Sequence, residues 1–326
     1  MQNNINLDAV GFGALNADLI YHIDNFKILE AKKKGIEPGG EYIVSKPEFY
    51  ALLKLVEKYG SFVAKSGGGQ SANTMFALAN MGFTTGFVGK VGNDANGQYL
   101  INSLKGVDTS KILKNGVSGV CLIVIDETND RTIFIASNAN DSLTINEIDK
   151  KYLNKIKFLH LTSFIGNKPL QAQEDLANNL HTKISFDPGE IYCREGMSHI
   201  EKIIHKTYIL FITEKEIKYL TELDYYNGTK FLFEQGVRIV ACKMGDKGSY
   251  IVHEGIAHEI PAIKTKVVDP TGAGDVFAAG FLAGLLMEKP ILDCAKLATL
   301  CASESIKGHG REKYPDKHFI EEKLKA

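Results

Sequence analysis

The run Asp269-Pro270-Thr271-Gly272-Ala273-Gly274-Asp275 stands directly before an apolar helical stretch, Val276–Met287, that Pro290 stops. A glycine-rich turn opening a helix lets several backbone N–H groups converge on one point, and the helix N-terminus adds partial positive charge. Such a turn is an anion site. Asp275, in the first helical turn, sits beside whatever anion binds there. A carboxylate so placed can take a proton from a hydroxyl while the Gly272, Ala273 and Gly274 amides stabilise charge growing on a transferred phosphoryl group. The same spacing also suits a carboxylate that only complements the helix dipole beside a tightened turn. The run alone leaves both readings open.

Three more short runs carry residue types suited to small polar ligands. Gly67-Gly68-Gly69-Gln70-Ser71-Ala72-Asn73 opens a second helix, where a ligand can approach the backbone and Asn73 can bind hydroxyls in two directions. Gly13-Ala14-Leu15-Asn16-Ala17-Asp18 ends the first strand, with Asn16 and Asp18 alternating onto one face. An amide with a carboxylate suits sugar hydroxyls, and plain turn chemistry accounts for the pair equally. Lys243-Met244-Gly245-Asp246-Lys247-Gly248 follows a strand and reads either as a backbone contact with a nucleotide or as a hairpin turn. Two nucleotide motifs are excluded. The sequence has no G-x-x-x-x-G-K-[ST]. Gly11-Phe12-Gly13 begins like a dinucleotide fingerprint, but Asn16 stands at its third glycine position.

The elements that must position these runs alternate strand with helix along most of the chain. Asp8–Leu15, Thr85–Val91, Lys157–Leu161, Lys183–Phe186, Thr207–Ile212, Arg238–Lys243 and Ser249–Val252 read as strands, and Ser71–Asn80 and Gly97–Leu104 as helices. The pattern predicts an α/β fold, a mostly parallel sheet covered on both faces, with ligands beyond the carboxyl ends of its strands. Two stretches break the alternation. Ile20–Ile43 has strand-like ends around a charged turn, Glu30–Gly40, with no clear helix between. Val117–Ile125 and Arg131–Ser137 form a hairpin pattern turned by Asn129-Asp130. Together they predict a small β lid from segments of about 20–48 and 115–138, appended to one large domain spanning 1–326.

Composition narrows the function classes. The 326 residues carry 38 basic against 39 acidic side chains, net −1, which argues against nucleic acid or an anionic membrane as partner. No apolar run reaches the roughly 18–20 residues that cross a bilayer. The N-terminus lacks a basic start and apolar stretch, so the chain is expected to be cytoplasmic. Cys121, Cys193, Cys242, Cys294 and Cys301 form no C-x-x-C pair, and no H-E-x-x-H occurs. The cysteines read as reduced thiols, with Cys294 and Cys301 on one helix face toward the core.

Taken together, Asn16 and Asp18, Gly68 to Asn73, Gly86–Gly97, Lys243–Gly248 and Asp269–Asp275 resemble the PfkB family of carbohydrate kinases, a ribokinase-like group that includes adenosine kinases. The resemblance implies a three-layer α/β/α sandwich with a small β-sheet lid, and ATP-dependent phosphoryl transfer to a primary hydroxyl of a sugar or nucleoside. It implies Asp275 as the base, Gly272, Ala273 and Gly274 as the anion hole, and Asn16, Asp18, Gly68, Gly69 and Asn73 around the substrate. Lys243, Gly245, Gly248, Thr271 and Ser303 fall where the family binds ATP, and Glu216 where it places an acidic residue near magnesium. A monovalent cation is a further implied cofactor. The family's N-x-x-E motif corresponds to Thr213-Glu214-Lys215-Glu216, so Thr213 replaces the asparagine. Ser45–Ser66, Arg131-Thr132 and Ala302–Ile306 are similar to bacterial adenosine-kinase-like members, while Asn16-Ala17-Asp18 looks like ribokinase. A nucleoside acceptor would need an aromatic or apolar lid surface, for which Phe26, Tyr42, Phe134 and Phe164 are candidates beside a role in the core. A silent binding protein of the same fold would need a broken anion hole or a missing base. Open lid edges would favour a homodimer.

Overall fold

A computed structural model of the chain describes residues 6–128 and 130–323. In chain order the strands are β1 Ala9–Phe12, β2 Asn16–Ile23, β3 Glu41–Ile43, β4 Gly60–Gly68, β5 Thr85–Val91, β6 Val107–Lys114 and β7 Gly119–Ile125. Then follow β8 Arg131–Ala136, β9 Phe158–Thr162, β10 Lys183–Asp187, β11 Thr207–Thr213, β12 Ile239–Lys243, β13 Gly248–His253 and β14 Ile256–Pro261.

Runs that are apolar without alternation belong in strands covered on both faces. β1, β5 and β9 are buried along their whole length, and they lie side by side in a nine-stranded sheet of order β14-β13-β12-β11-β10-β9-β1-β5-β6. It is parallel from β6 to β12, and β13 and β14 add an antiparallel edge. The chain runs outward from β1 in both directions, which opens a crevice at its carboxyl end. One face is covered by the helices Gln70–Asn80, Ala273–Leu286 and Ile291–Ser305. The helices Asn167–Asn179, Met197–Ile204 and Glu214–Thr221 cover the other. The result is the expected three-layer, ribokinase-like α/β fold with a second, smaller sheet.

The smaller sheet has the order β3-β8-β7-β2-β4 and draws on more of the chain than 20–48 and 115–138. It begins at Asn16 and takes in β4 as an edge strand. The first strand therefore stops at Phe12, not Leu15. The buried amide of Asn140 breaks it there, accepting from Leu15 N at 3.0 Å and donating to Leu15 O at 3.1 Å. The charged turn holds a short helix, Lys27–Lys32, which seats Leu29 in the core. Within Ser45–Ser66 lies another helix, Lys46–Tyr59, started by a capping box in which Ser45 N donates to Glu48 at 2.9 Å. β7 and β8 pair antiparallel as the hairpin pattern predicts. Asp126 organises their turn by accepting from Thr128 N and Asp130 N, at 2.8 and 3.0 Å. Asn129 lies outside the described residues.

Close backbone approach explains the glycines that imitate a dinucleotide motif. A Cβ on Gly11 would lie 2.5 Å from Ser71 Oγ and 2.6 Å from Met75 Cγ, so the spacing serves the Gln70–Asn80 helix packed on β1. The same logic seats Ala273–Leu286 on Ile291–Ser305. Cβ atoms on Gly280 and Gly284 would lie 2.9 Å from Ala298 Cα and 2.8 Å from Cys294 Cα. The five cysteines are free and buried, and burial pushes the Cys242 and Cys294 thiols up to about 12. Among the described residues no helix is long and apolar enough to cross a membrane.

Candidate active site

Two clefts open where the carboxyl ends of the parallel strands face the smaller sheet. The inner cleft, about 440 Å³, runs between the sheets and is lined by Asn16, Asp18, Gly69, Asn73, Glu216, Gly272 and Asp275 among others. The outer cleft, about 650 Å³, lies beside the β12–β13 turn and is lined by Gly245, Gly248, Ala273, Ser303 and an apolar slot of Ile263, Val267, Phe277, Ala302 and Ile306. Lys243 and Gly274 line both.

At the seam stands the first turn of Ala273–Leu286. Gly272 caps this helix with φ of +78°, a left-handed conformation that favours glycine, and the next amide, Ala273 N, donates to Pro270 O at 3.2 Å. Asp275 is buried, and its Oδ2 accepts from Asn73 Nδ2 at 2.8 Å. Burial pushes its carboxyl up to about 7, against the Asn73 hydrogen bond that favours the charged form. Asn73 is itself aligned. Its Oδ1 accepts from Arg311 Nε at 3.1 Å and Nη2 at 3.0 Å, which commits the NH₂ to Asp275.

Asp18 enters on β2, and burial pushes its carboxyl up to about 7 as well, opposed by the Cys121 thiol and by the Arg311 charge. Gly68 lies behind it in β4, paired with Asn16, and a Cβ there would fall on the Asp18 carboxylate. Gly69 has φ of +118° and begins the Gln70–Asn80 helix. Asn16 Oδ1 accepts from Asn140 Nδ2 at 2.9 Å, so the Asn140 amide orients the predicted ligand group as well as breaking the strand.

Strand ends β10, β11 and β12 bring a charged cluster to the same place. Lys243 Nζ meets Asp187 Oδ2 at 2.6 Å, both largely buried. Burial opposes the lysine's charge, but Asp187 and Glu216 more than offset it and hold the ammonium above its usual range. A Cβ on Gly274 would lie 3.3 Å from Lys243 Nζ, so glycine lets the lysine close on the helix start. Thr213 caps the helix Glu214–Thr221 with Glu216 as its box partner, and Thr213 N donates to Glu216 Oε2 at 2.8 Å. Thr213, at the position where the resemblance expects asparagine, thus serves as a helix cap. Burial raises the Glu216 carboxyl above its usual range.

A buried carboxylate and a glycine-capped helix start thus stand where the two clefts meet. The family model described as pfkB family carbohydrate kinase matches residues 48–316. The chain belongs to this family. A curated relative from Archaeoglobus fulgidus, called an uncharacterized sugar kinase, is 36% identical over 73% of this chain and 98% of its own length. An ATP-dependent ribose-1-phosphate kinase from Halopiger xanaduensis is 30% identical over 77% of this chain and 84% of its own. The crystal structure of an adenosine kinase from Sinorhizobium meliloti has the same fold, with a TM-score of 0.86 at 21% identity over 98% of this chain and 100% of the other. The chain is therefore an enzyme, a phosphotransferase with an alcohol group as acceptor.

In this PfkB enzyme most residues expected at the site do converge. Thr271, expected with the nucleotide, lines the inner cleft, where Arg131 of β8 bonds its hydroxyl and meets Asp269 at 3.0 Å. Of the four aromatics considered for stacking, only Phe164 lines the inner cleft; Phe26 and Phe134 are core, and Tyr42 stacks on Phe134. Arg311, Asn140 and Asp187 carry the site's polar framework and escaped sequence reasoning. Asp187 alone had a local signal, a strand ending in Asp187-Pro188-Gly189.

Proposed function

We propose that this kinase transfers the γ-phosphoryl group of ATP to a primary hydroxyl of a sugar or nucleoside, with Asp275 as general base and the Gly272, Ala273 and Gly274 amides as anion hole. The observation that carries the reading is the place of Asp275, at the seam of two clefts that share Gly274 and Lys243. The acceptor lies in the inner cleft on Asn16, Asp18 and Asn73, with Gly68 and Gly69 leaving it room. The nucleotide lies in the outer cleft on Gly245, Gly248 and Ser303, its base in the apolar slot. Asp275 Oδ1, which meets no protein donor among the described residues, takes the hydroxyl proton. The acceptor oxygen bonds to the γ-phosphorus as the bond from phosphorus to the β–γ bridging oxygen breaks, and ADP leaves. Lys243, beside Gly274, faces the charge that develops. Positioning and charge stabilisation supply most of the rate in such a transfer.

The residues present suit magnesium carried by the nucleotide and no protein-built cage. Among the described residues no cluster of three or more His, Cys, Asp or Glu could hold a metal. Glu216, whose Oε1 meets no protein donor among the described residues, is the side chain that would lean on it. Such an ion neutralises charge between phosphate oxygens. The smaller sheet closes over the acceptor and keeps water from competing for the phosphoryl group. Its apolar wall, Ile123, Ile133 and Ile135, supports a nucleoside, because a base needs a surface to lie against and a free sugar does not. A coupled ATPase screen over adenosine, other nucleosides, ribose and fructose tests the reading, with Asp275→Asn as control. ADP release at background for every acceptor would refute it.

A further inference from the structure

The inner cleft is acidic, and the cations around it are already engaged. Granted the phosphoryl transfer proposed for this site, on which the selection rests, that charge balance decides the kind of acceptor. The lining carries Asp18, Glu41, Asp141, Glu190, Glu216 and Asp275, with Lys243 as its one cation among the described residues. Lys243 is held by Asp187 at the seam, where the transferred group must sit. Just outside, Arg131 pairs with Asp269 at 3.0 Å, and the Arg311 guanidinium grips the Asn73 carbonyl. Arg194 and Lys215, outside the lining themselves, both go to its Glu190: Arg194 Nε reaches Oε1 at 2.7 Å, and Lys215 Nζ reaches Oε2 at 2.8 Å. A phosphate or carboxylate carried in on the acceptor would lose its water and find no cation in the lining beyond the paired Lys243, an arrangement that rejects by leaving a charge unpaired.

We propose that the acceptor is an uncharged polyol or nucleoside, and that Glu190 sets this specificity by tying up Arg194 and Lys215, the two cations that would otherwise receive an anionic acceptor. Glu190 stands in the short helix Gly189–Arg194 directly after β10, and it lines the inner cleft while both its carboxylate oxygens are spent on its neighbours.

Two matched pairs test this: ribose against ribose-1-phosphate, and adenosine against adenosine 3′-monophosphate. Each pair shares its 5-hydroxyl and differs by one charged group. kcat/KM is measured with ATP, and binding is measured by calorimetry without it. The uncharged member of each pair is expected to be better by about 30-fold, the effect of one uncompensated unit charge about 8 Å away at an effective dielectric of about 20. Glu190→Gln frees both cations and should narrow that ratio about fivefold by improving the charged member. The double variant Arg194→Gln with Lys215→Gln, lacking cations to free, should keep the wild-type preference, which separates released charge from a loosened mouth. Equal or better use of the phosphorylated members by the wild type overturns the proposal and leaves phosphoryl transfer standing. Turnover of none, with the uncharged members still bound more tightly, overturns phosphoryl transfer and leaves the charge selection. Neither turnover nor binding overturns both, and an unchanged ratio in Glu190→Gln removes that residue from the role.

Discussion

A carboxylate walled off from water gives up its proton at higher pH, and Asp275 and Asp18, each raised by burial to about 7, are both in that position. A base must be ionised to work, so kcat/KM should rise with pH and level off above about 7, read from a pH–rate profile at fixed ionic strength. The same raised values act on stability with the opposite sense. Between about pH 4 and 7 the folded chain holds protons that the unfolded chain has released, so stability falls as pH rises through that window. Asp275→Asn removes the buried charge. It should cost roughly 10²–10⁴ in kcat, the range for a lost general base, and raise Tm at pH 8, a gain that vanishes below about pH 4. Thermal scans of both proteins at the two pH values check this, and near-full activity would remove Asp275 from its role. Arg311 reaches the proposed base through Asn73. Arg311→Met should lower kcat and move the acid limb of the profile upward, because a cation that favours ionised Asp275 is lost. Arg311→Lys should leave the limb near its wild-type place, a difference that simple damage to packing would not produce.

At the level of elements, the turn proposed to be catalytic is only as well placed as the helix behind it. Ala273–Leu286 is buried from Asp275 to Gly284 and rests on Ile291–Ser305 through Gly280 and Gly284. Gly284→Leu would push the two helices apart. Overpacking of this kind costs about 1–3 kcal/mol, measured by urea denaturation, and kcat should fall with it although residue 284 is about two and a half turns beyond Asp275. The helix is legible from its apolar run and its stop at Pro290, and so are the strands β5, β9, β11 and β12. The helix Lys46–Tyr59 is not, although Ser45 and Glu48 spell its capping box, because strand-like and glycine-rich neighbours draw the stretch toward loop. The sequence pattern makes β1 too long for a different reason. Nothing in Gly13-Ala14-Leu15 announces that an amide 125 residues away, Asn140, will take up its hydrogen bonds.

On the scale of the whole molecule, the two sheets make one site between them while the smaller sheet keeps open edges. Among the described residues β4 pairs only with β2, and Phe62 and Val63 on it are 58% and 54% exposed. An unpaired, apolar edge invites a second copy of itself. We expect a homodimer through this sheet, and Phe62→Glu should shift the mass measured by light scattering to that of a monomer. A monomeric wild type would refute the assignment. The near-zero net charge fits the proposed function, in which the pull on a polyanion is local to a helix start, a few amides and Lys243.

The order of strands and helices and the glycine turn with its following carboxylate could be read from the chain, because each depends on neighbours within a few residues. Tertiary structure alone decided which residues met. Arg311 comes to Asn73 from 238 positions away, Asp187 to Lys243 from 56, and both clefts to one seam at Gly274. Local sequence sets backbone conformation through sterics and hydrogen bonding. The pairing of distant side chains, and with it the burial that moves their protonation, follows only once the sheets have closed on each other.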